Sequence, residues 1–258
     1  MEFIHIAFLS AMPEEVGNTV SNLKKKQIFQ YGDLKIYTGE LIENDKSLNP
    51  ILVSVAWSGW GKVSAARAAT RLISHVHLNK KIDLILFSGV AGAANNSLNQ
   101  WDVIVANQMI QHDMDASPLF NKYVIPALNI ERLEPSLEYF SWVMSSLRKA
   151  KINGDLEKFG IIKDGLIATG DQFVSDSDHI KSLNENIKGI LAVEMEGAAV
   201  AQVAIQENIP WVIMRVISDN ANEEAPENFT QFLEKYKKYS WDILKAILSE
   251  IKKFPIKK

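Results

Sequence analysis

Two carboxylates, Glu194 and Glu196, stand inside the apolar run AVEMEGAA at residues 192–199, where everything else reads as a buried strand turning into a buried helix. A carboxylate taken out of water is costly unless it meets a cation, a hydrogen-bond donor or a ligand. The fold therefore has to bring such partners to this turn. A second run, WVIMRVI at 211–217, reads as another strand covered on both faces, and it delivers Ser218, Asp219 and Asn220 at its carboxyl end. A third, FIHIAFL at 3–9, runs into Met12, Pro13, Glu14 and Glu15. Strands apolar on both faces belong to parallel sheets sandwiched between helices, and such sheets bind ligands at the carboxyl ends of their strands. Three strand ends thus offer acids to one pocket.

The rest of the chain repeats this pattern. Runs rich in Val and Ile at 51–56, 82–87 and 103–106 end near Gly, Ser or Asn, as buried strands do. After Gly61, residues 62–75 carry Val63, Ala66, Ala69 and Ile73 at helical spacing, so this stretch reads as strand, glycine loop and helix. Residues 197–207 read as a helix whose small residues allow close approach to the sheet, and the chain re-enters the sheet near Pro210. A final helix is expected over 229–253, with Leu233, Tyr236, Ile243, Leu244, Ile247, Leu248 and Ile251 along one face and Asn228 with Gln231 as a capping pair. Residues 43–49 read as a polar hairpin loop. The lysines at 24–26, 252–253 and 257–258 read as a solvated face and a frayed terminus.

Composition bounds the function. A chain of 258 residues, 47% hydrophobic and 23% charged, can build one large core, and a single domain over residues 1–258 is expected. A formal charge of −3 disfavours a general attraction to nucleic-acid phosphates, which points to a small-molecule partner. There is no Cys for disulfide or thiolate chemistry. The first apolar run has no basic segment before it and is interrupted by His5, so it reads as a strand rather than a signal peptide. No stretch approaches the roughly 20 apolar residues of a membrane span. A cytoplasmic protein without membrane contact is expected. His112, Asp113 and Asp115 could suggest metal ligation, but no distant cluster matches them, and neither metal nor cofactor is expected. Trp57 and Trp101 read as packing residues.

Six blocks in fixed order carry a family resemblance: AMPEEV at 11–16, SGWGKV at 58–63, SGVAG at 88–92, TGDQF at 169–173, VEME at 193–196 and RVISD at 215–219. Together they resemble the nucleoside phosphorylase superfamily, and within it the 5′-methylthioadenosine/S-adenosylhomocysteine nucleosidases. The resemblance implies a three-layer α/β/α fold around a central mixed, twisted sheet. It also implies hydrolysis of the bond between ribose and adenine, a reaction that paired carboxylates can divide between acid and base. Asp219 would protonate the purine at N7, with Ser218 orienting it. Glu15 would polarise the attacking water, with Arg215 fixing both. Glu196 would grip the ribose hydroxyls and Met195 pack beneath the sugar, while Phe173 would stack on adenine and the Val174 backbone read its edge. Met12, Trp60, Val90 and Glu194 complete the implied binding set. The resemblance further implies a homodimer in which residues 115–120, from Asp115 to Phe120, close the partner's pocket.

Two positions depart from the family pattern. Trp60 stands where a small aliphatic residue is usual, and it narrows the space for the 5′ substituent, reshapes it for another 5′-modified adenosine, or faces the core. Val90 replaces a Ser or Thr and offers no hydroxyl. Two rival readings follow: a phosphorylase using phosphate in place of water, which needs cationic donors, and a nucleoside-binding protein without efficient catalysis.

Overall fold

The computed structural model describes residues 4–41, 51–222 and 224–255. Phe3 of the first expected strand, the expected 43–49 loop and Lys257 with Lys258 lie outside them. In chain order the elements are β1 (His5–Ser10), α1 (Pro13–Val16), α2 (Thr19–Asn22), β2 (Lys24–Tyr31), β3 (Leu34–Leu41), β4 (Ile51–Trp57), α3 (Lys62–Ser74), β5 (Leu84–Ala93) and β6 (Val103–Gln111). There follow β7 (Arg132–Leu133), α4 (Leu137–Ile152), β8 (Ile162–Thr169), α5 (Ser177–Asn186), β9 (Ile190–Glu194), α6 (Gly197–Gln206), β10 (Trp211–Asp219), α7 (Ala225–Tyr236) and α8 (Ser240–Leu248).

All ten strands form one mixed sheet, ordered β10-β6-β8-β9-β5-β1-β4-β3-β2, with β7 on β6. The long β5 also pairs in parallel with β10, from Ile85 to Gly92, and meets β9 antiparallel at Gly92 and Ala93. Five strands therefore close on themselves, and the other strands extend from β5 as an open sheet. The apolar runs at 3–9, 51–56, 82–87 and 211–217 become β1, β4, β5 and β10, which run parallel to their neighbours among these four. Their carboxyl ends meet at one edge.

Alternation along these strands builds the layers. Phe8, Leu86 and Met214 face a core shared with Tyr236, Ile243 and Ile247 of α7 and α8. Leu9, Phe87 and Ile213 face the opposite core, shared with Leu72 of α3 and Val200 of α6. Helix α3 buries Ala65, Ala68, Ala69 and Leu72, a spacing of 3, 4 and 7 that keeps one face inward. The lysines at 24–26 are solvated as expected, on the exposed strand β2 at the sheet's edge, where charge discourages pairing with another chain.

The single helix expected over 229–253 is two helices and a short 3-10 turn, Ile251–Lys253. Its start also differs. Helix α7 begins at Ala225 with Pro226 in its first turn, and Gln231 bonds Glu227 rather than capping with Asn228. The break between α7 and α8 lies over Gly17, where an added Cβ would fall 2.1 Å from Ser240 Oγ and 2.8 Å from the Lys237 carbonyl. Apolar spacing continues across the break because Tyr236, Ile243 and Ile247 all face the same core. Periodicity alone could not reveal it.

A polar chain crosses the sheet away from the strand ends. The His5 ring contacts the Lys80 carbonyl through Nδ1 (3.1 Å) and Ser54 Oγ through Nε2 (2.8 Å); Thr38 Oγ1 lies 2.7 Å from Ser54 Oγ and 3.0 Å from His75 Nε2. A carbonyl only accepts, so Nδ1 of His5 carries the proton. Ser54 then donates to His5, Thr38 to Ser54 and His75 to Thr38, which satisfies each group with both rings neutral. Burial, the main cause, lowers the His5 pKa from 6.5 to about 4 against the pull of the Lys80 carbonyl. Since the folded value lies below the unfolded one, stability is full above about pH 6.5 and falls as pH drops towards 4. A shift of this size corresponds to a loss on the order of 3 kcal/mol. Urea midpoints measured between pH 7.5 and 4 will fall through this window, and more shallowly in His5→Gln.

Candidate active site

Each acid flagged in the sequence reaches the common strand edge. Helix α1 is one turn long, with Pro13 at its first position and Met12 extended before it. This lets Glu15 fold back over its own start. The buried Glu15 carboxylate accepts hydrogen bonds from the amides of Ala11 (2.8 Å) and Met12 (2.9 Å) at Oε2 and from that of Val90 (2.9 Å) at Oε1. Both oxygens are fixed by backbone amides. Burial pushes its pKa up, while the Arg215 charge and the three amides act against that rise.

Arg215 is fully buried on β10, its guanidinium 4.1 Å from the Phe87 ring centre. Nε donates to Glu194 Oε2 at 3.1 Å, and Nη2 donates to the same oxygen. Glu194 further accepts from the Thr169 hydroxyl and from the amides of Gly197 (2.7 Å) and Glu196 (3.1 Å). Glu194 lines the cavity, and its carboxylate is at the same time held by these protein donors. Among the described residues, Nη1 of Arg215 has no hydrogen-bond partner. A Cβ on Gly89 would lie 2.6 Å from Glu15 Oε1 and 2.8 Å from this nitrogen. Glu15 and Arg215 thus converge on a gap that only glycine leaves open.

Glu196 accepts from the Gly61 amide at 2.8 Å and lies 3.8 Å from Arg215 Nη2. Burial, then the Glu194 charge, pushes its carboxyl up to about 8. Asp219 sits where β10 ends, Oδ1 accepting from the Ala221 amide (2.8 Å) and Oδ2 lying 2.5 Å from Ser218 Oγ. Ser218 Oγ is also 3.2 Å from the Ala91 carbonyl. One hydroxyl proton cannot serve both acceptors. A protonated Asp219 resolves this by donating to Ser218, which then donates to Ala91. Burial raises the Asp219 pKa in the same direction.

These groups surround a cavity of about 540 Å³. Met12, Glu15, Trp60 and Val90 line one part of it, and Phe173, Val174, Met195, Glu196, Ser218 and Asp219 the remainder. Arg215 is not among the lining residues and acts from behind the wall. The core placement weighed for Trp60 does not occur, since its side chain is 51% exposed at the cavity rim. Val90 contributes its amide to Glu15 in place of the missing hydroxyl.

Several contributors escape sequence reasoning. Phe229 lines the cavity from the start of α7 and packs edge-on against Phe173, ring centres 5.6 Å apart; in the sequence it is one more apolar residue of a helix. Thr169 and Gly89 fall within motif blocks, but their contacts need coordinates. Asp113, weighed as a metal ligand, pairs with Lys62 Nζ at 2.7 Å and accepts from the Asp171 amide at 3.0 Å. Trp57 stacks on Tyr37, and Trp101 packs against Phe159 and Phe232.

The model of the phosphorylase superfamily matches residues 5–249. A 5′-methylthioadenosine/S-adenosylhomocysteine nucleosidase of Staphylococcus aureus is 32% identical, over 95% of this chain and 100% of its own length. The Streptococcus pyogenes S-adenosylhomocysteine nucleosidase in complex with 5-methylthiotubericidin is 30% identical, with a TM-score of 0.83 and 99% coverage of both chains. The futalosine hydrolase of Helicobacter pylori is 31% identical, with a TM-score of 0.81, covering 96% of this chain and 98% of that one.

Removing one partner of a buried ion pair leaves an uncompensated charge and costs about 3–5 kcal/mol. Glu194→Ala is expected to lower the thermal midpoint by about 10 °C, and Glu194→Gln by less because it retains an acceptor. Scanning calorimetry of the two variants checks this.

Proposed function

Since this chain belongs to the phosphorylase superfamily, we propose that it hydrolyses the N-glycosidic bond of 5′-methylthioadenosine and related 5′-modified adenosines, including S-adenosylhomocysteine and 5′-deoxyadenosine. The products are adenine and the 5′-modified ribose. The observation that carries this reading is a pair of buried carboxylates, Glu15 and Asp219, held apart by β5. Glu15 lies over Gly89, and a Cβ on Gly92 would lie 3.1 Å from Asp219 Oδ1. Both carboxylates line the same cavity, so an acid and a base can address one glycosidic bond from different sides.

Asp219 donates its proton to N7 of the purine, the bond from C1′ to N9 breaks, and its electron pair leaves with the base. Water attacks C1′ from the opposite side and gives a proton to Glu15. Glu196 holds the ribose hydroxyls, and Arg215, anchored by Glu194, holds its free Nη1 towards Glu15. Phe173 stacks on the adenine, the Val174 backbone reads its edge and Met195 supports the sugar. Solvent returns the proton from Glu15 and reloads Asp219, so each turnover consumes one water.

Phosphate is the disfavoured nucleophile. The residues lining the cavity include Glu15, Glu194, Glu196 and Asp219 and, among the described residues, no Lys, Arg or His. A dianion there meets four acids, while the charge of Arg215 behind the wall is paired with Glu194.

A homodimer is part of the proposal. In residues 115–120, Leu119 is 86% exposed and Phe120 36%, an arrangement suited to covering the cavity of a second copy. Light scattering is expected to give about twice the 29.0 kDa chain mass, and Leu119→Asp to shift it towards the monomer.

Purified protein is expected to release adenine from 5′-methylthioadenosine at a rate that phosphate does not raise. Asp219→Asn and Glu15→Gln will each cut kcat by about a thousandfold or more, Glu15→Gln with little change in KM. Because the base must be ionised and burial raises its pKa, kcat/KM will be lost as pH falls through a value above the ordinary 4.5 of glutamate. Phosphate-dependent release, or retained turnover in Asp219→Asn, contradicts the proposal.

A further inference from the structure

The cavity wall contains a row of aromatic rings that hydrolysis of the glycosidic bond does not itself require. Phe173 meets Phe229 edge-on at 5.6 Å, and Phe229 meets Trp60 edge-on at 6.0 Å and 89°. Trp60 ends the row at the rim, half in solvent. A tryptophan left in this state forgoes most of the gain of burying its large apolar surface.

Its position is nevertheless fixed by the backbone. Gly59 and Gly61, on either side, have φ values of +82° and +89°, a region open to glycine and strained for other residues. The turn is fastened to the site beyond Trp60, where the Gly61 amide donates to Glu196 (2.8 Å) and the Lys62 amide to Asp171 (2.7 Å). The indole is therefore presented beside the acid that holds the ribose, at the far end of the aromatic row from Phe173. With the purine against Phe173 and the ribose on Glu196, the group on C5′ is directed towards Trp60 and Phe229.

We propose that Trp60 is a specificity-determining residue that, with Phe229, forms an aromatic corner for the 5′ substituent and selects adenosines carrying a planar aromatic group there over those carrying a zwitterionic amino-acid chain. The inference rests on the nucleosidase reading and on its orientation of the substrate. A planar guest gains apolar contact with the exposed indole, together with ring-on-ring packing. An amino-acid chain brings a carboxylate to a wall that offers acids and, among its described residues, no Lys, Arg or His.

The test compares adenine release from 5′-phenylthio-5′-deoxyadenosine, 5′-methylthioadenosine and S-adenosylhomocysteine by the full chain and by Trp60→Ile and Trp60→Tyr. For the unaltered protein, kcat/KM is expected to be about tenfold higher for the phenylthio substrate than for S-adenosylhomocysteine. Trp60→Ile should lower kcat/KM for the phenylthio substrate about tenfold, chiefly through KM, and lower it less for 5′-methylthioadenosine. Trp60→Tyr should keep most of the preference. Because the side chain is half in solvent, an unchanged thermal midpoint separates these effects from misfolding. Release from 5′-methylthioadenosine with a phenylthio-to-methylthio ratio that Trp60→Ile leaves unmoved overturns the inference alone. No release from any of the three substrates overturns the nucleosidase reading and the inference with it.

Discussion

The buried pair of Arg215 and Glu194 is the constraint on which the site depends. A guanidinium held in the interior is expensive, and here it is compensated by a carboxylate that also takes the Thr169 hydroxyl and two amides at the start of α6. The network ties β8, β9, β10 and α6 together at one point. It also sets the charge felt by the other acids. With its charge largely answered by Glu194, Arg215 does not overcome the burial of Glu15 and Glu196, so both are raised above the ordinary carboxylate range. An unpaired Arg215 would hold both more firmly ionised and would weaken Glu15 as a base. Glu194 thus sets the charge balance of the cavity that it also lines.

Strand β5 converts that electrostatic arrangement into a reaction coordinate. Its backbone passes between the two working acids. At Gly89 the absence of a side chain lets Glu15 and Arg215 approach, and at Gly92 it leaves room for Asp219 and Ala221. Between them the Val90 amide reaches Glu15, and the Ala91 carbonyl lies within reach of Ser218. The loss of a hydroxyl at position 90 is tolerable because the contact seen there is made by the backbone, which any residue except proline supplies.

The legible part of this protein was the part where burial leaves a one-dimensional mark. Continuous apolar runs mark β1, β4, β5 and β10 because both faces are covered, and the acids at their ends are conspicuous against that background. Strand β2 carries no such mark because it is an exposed edge strand of lysines and glutamines, β3 because Lys35, Thr38, Gly39 and Glu40 interrupt its apolar residues, and β8 because Lys163 and Asp164 follow its first residue. The destination of a buried acid was equally hidden. Glu194 and Glu196 are two residues apart in the same apolar setting and both line the cavity, yet Glu194 is bonded to the buried cation while Glu196 takes the Gly61 amide. That choice is made by Arg215, 21 residues downstream of Glu194 in sequence and adjacent only in space. Phe229 was hidden for a related reason, since helical spacing identifies an apolar residue without saying whether it meets the core or overhangs a site.

Water is favoured over phosphate by the same electrostatics that make the acid and base possible. A phosphorylase must hold a dianion beside C1′, and cationic or amide donors have to be free to do so. Here the amides of Ala11, Met12 and Val90 are directed at Glu15, and two of the Arg215 nitrogens at Glu194. Most of the donors an anion would need are already bound to carboxylates of the protein, and the remaining one, Arg215 Nη1, shares the gap over Gly89 with Glu15. Glu15 occupies the place of the anion, and what it can still accept is a proton. A neutral nucleophile that carries its own proton suits such a site, and water is the smallest that does.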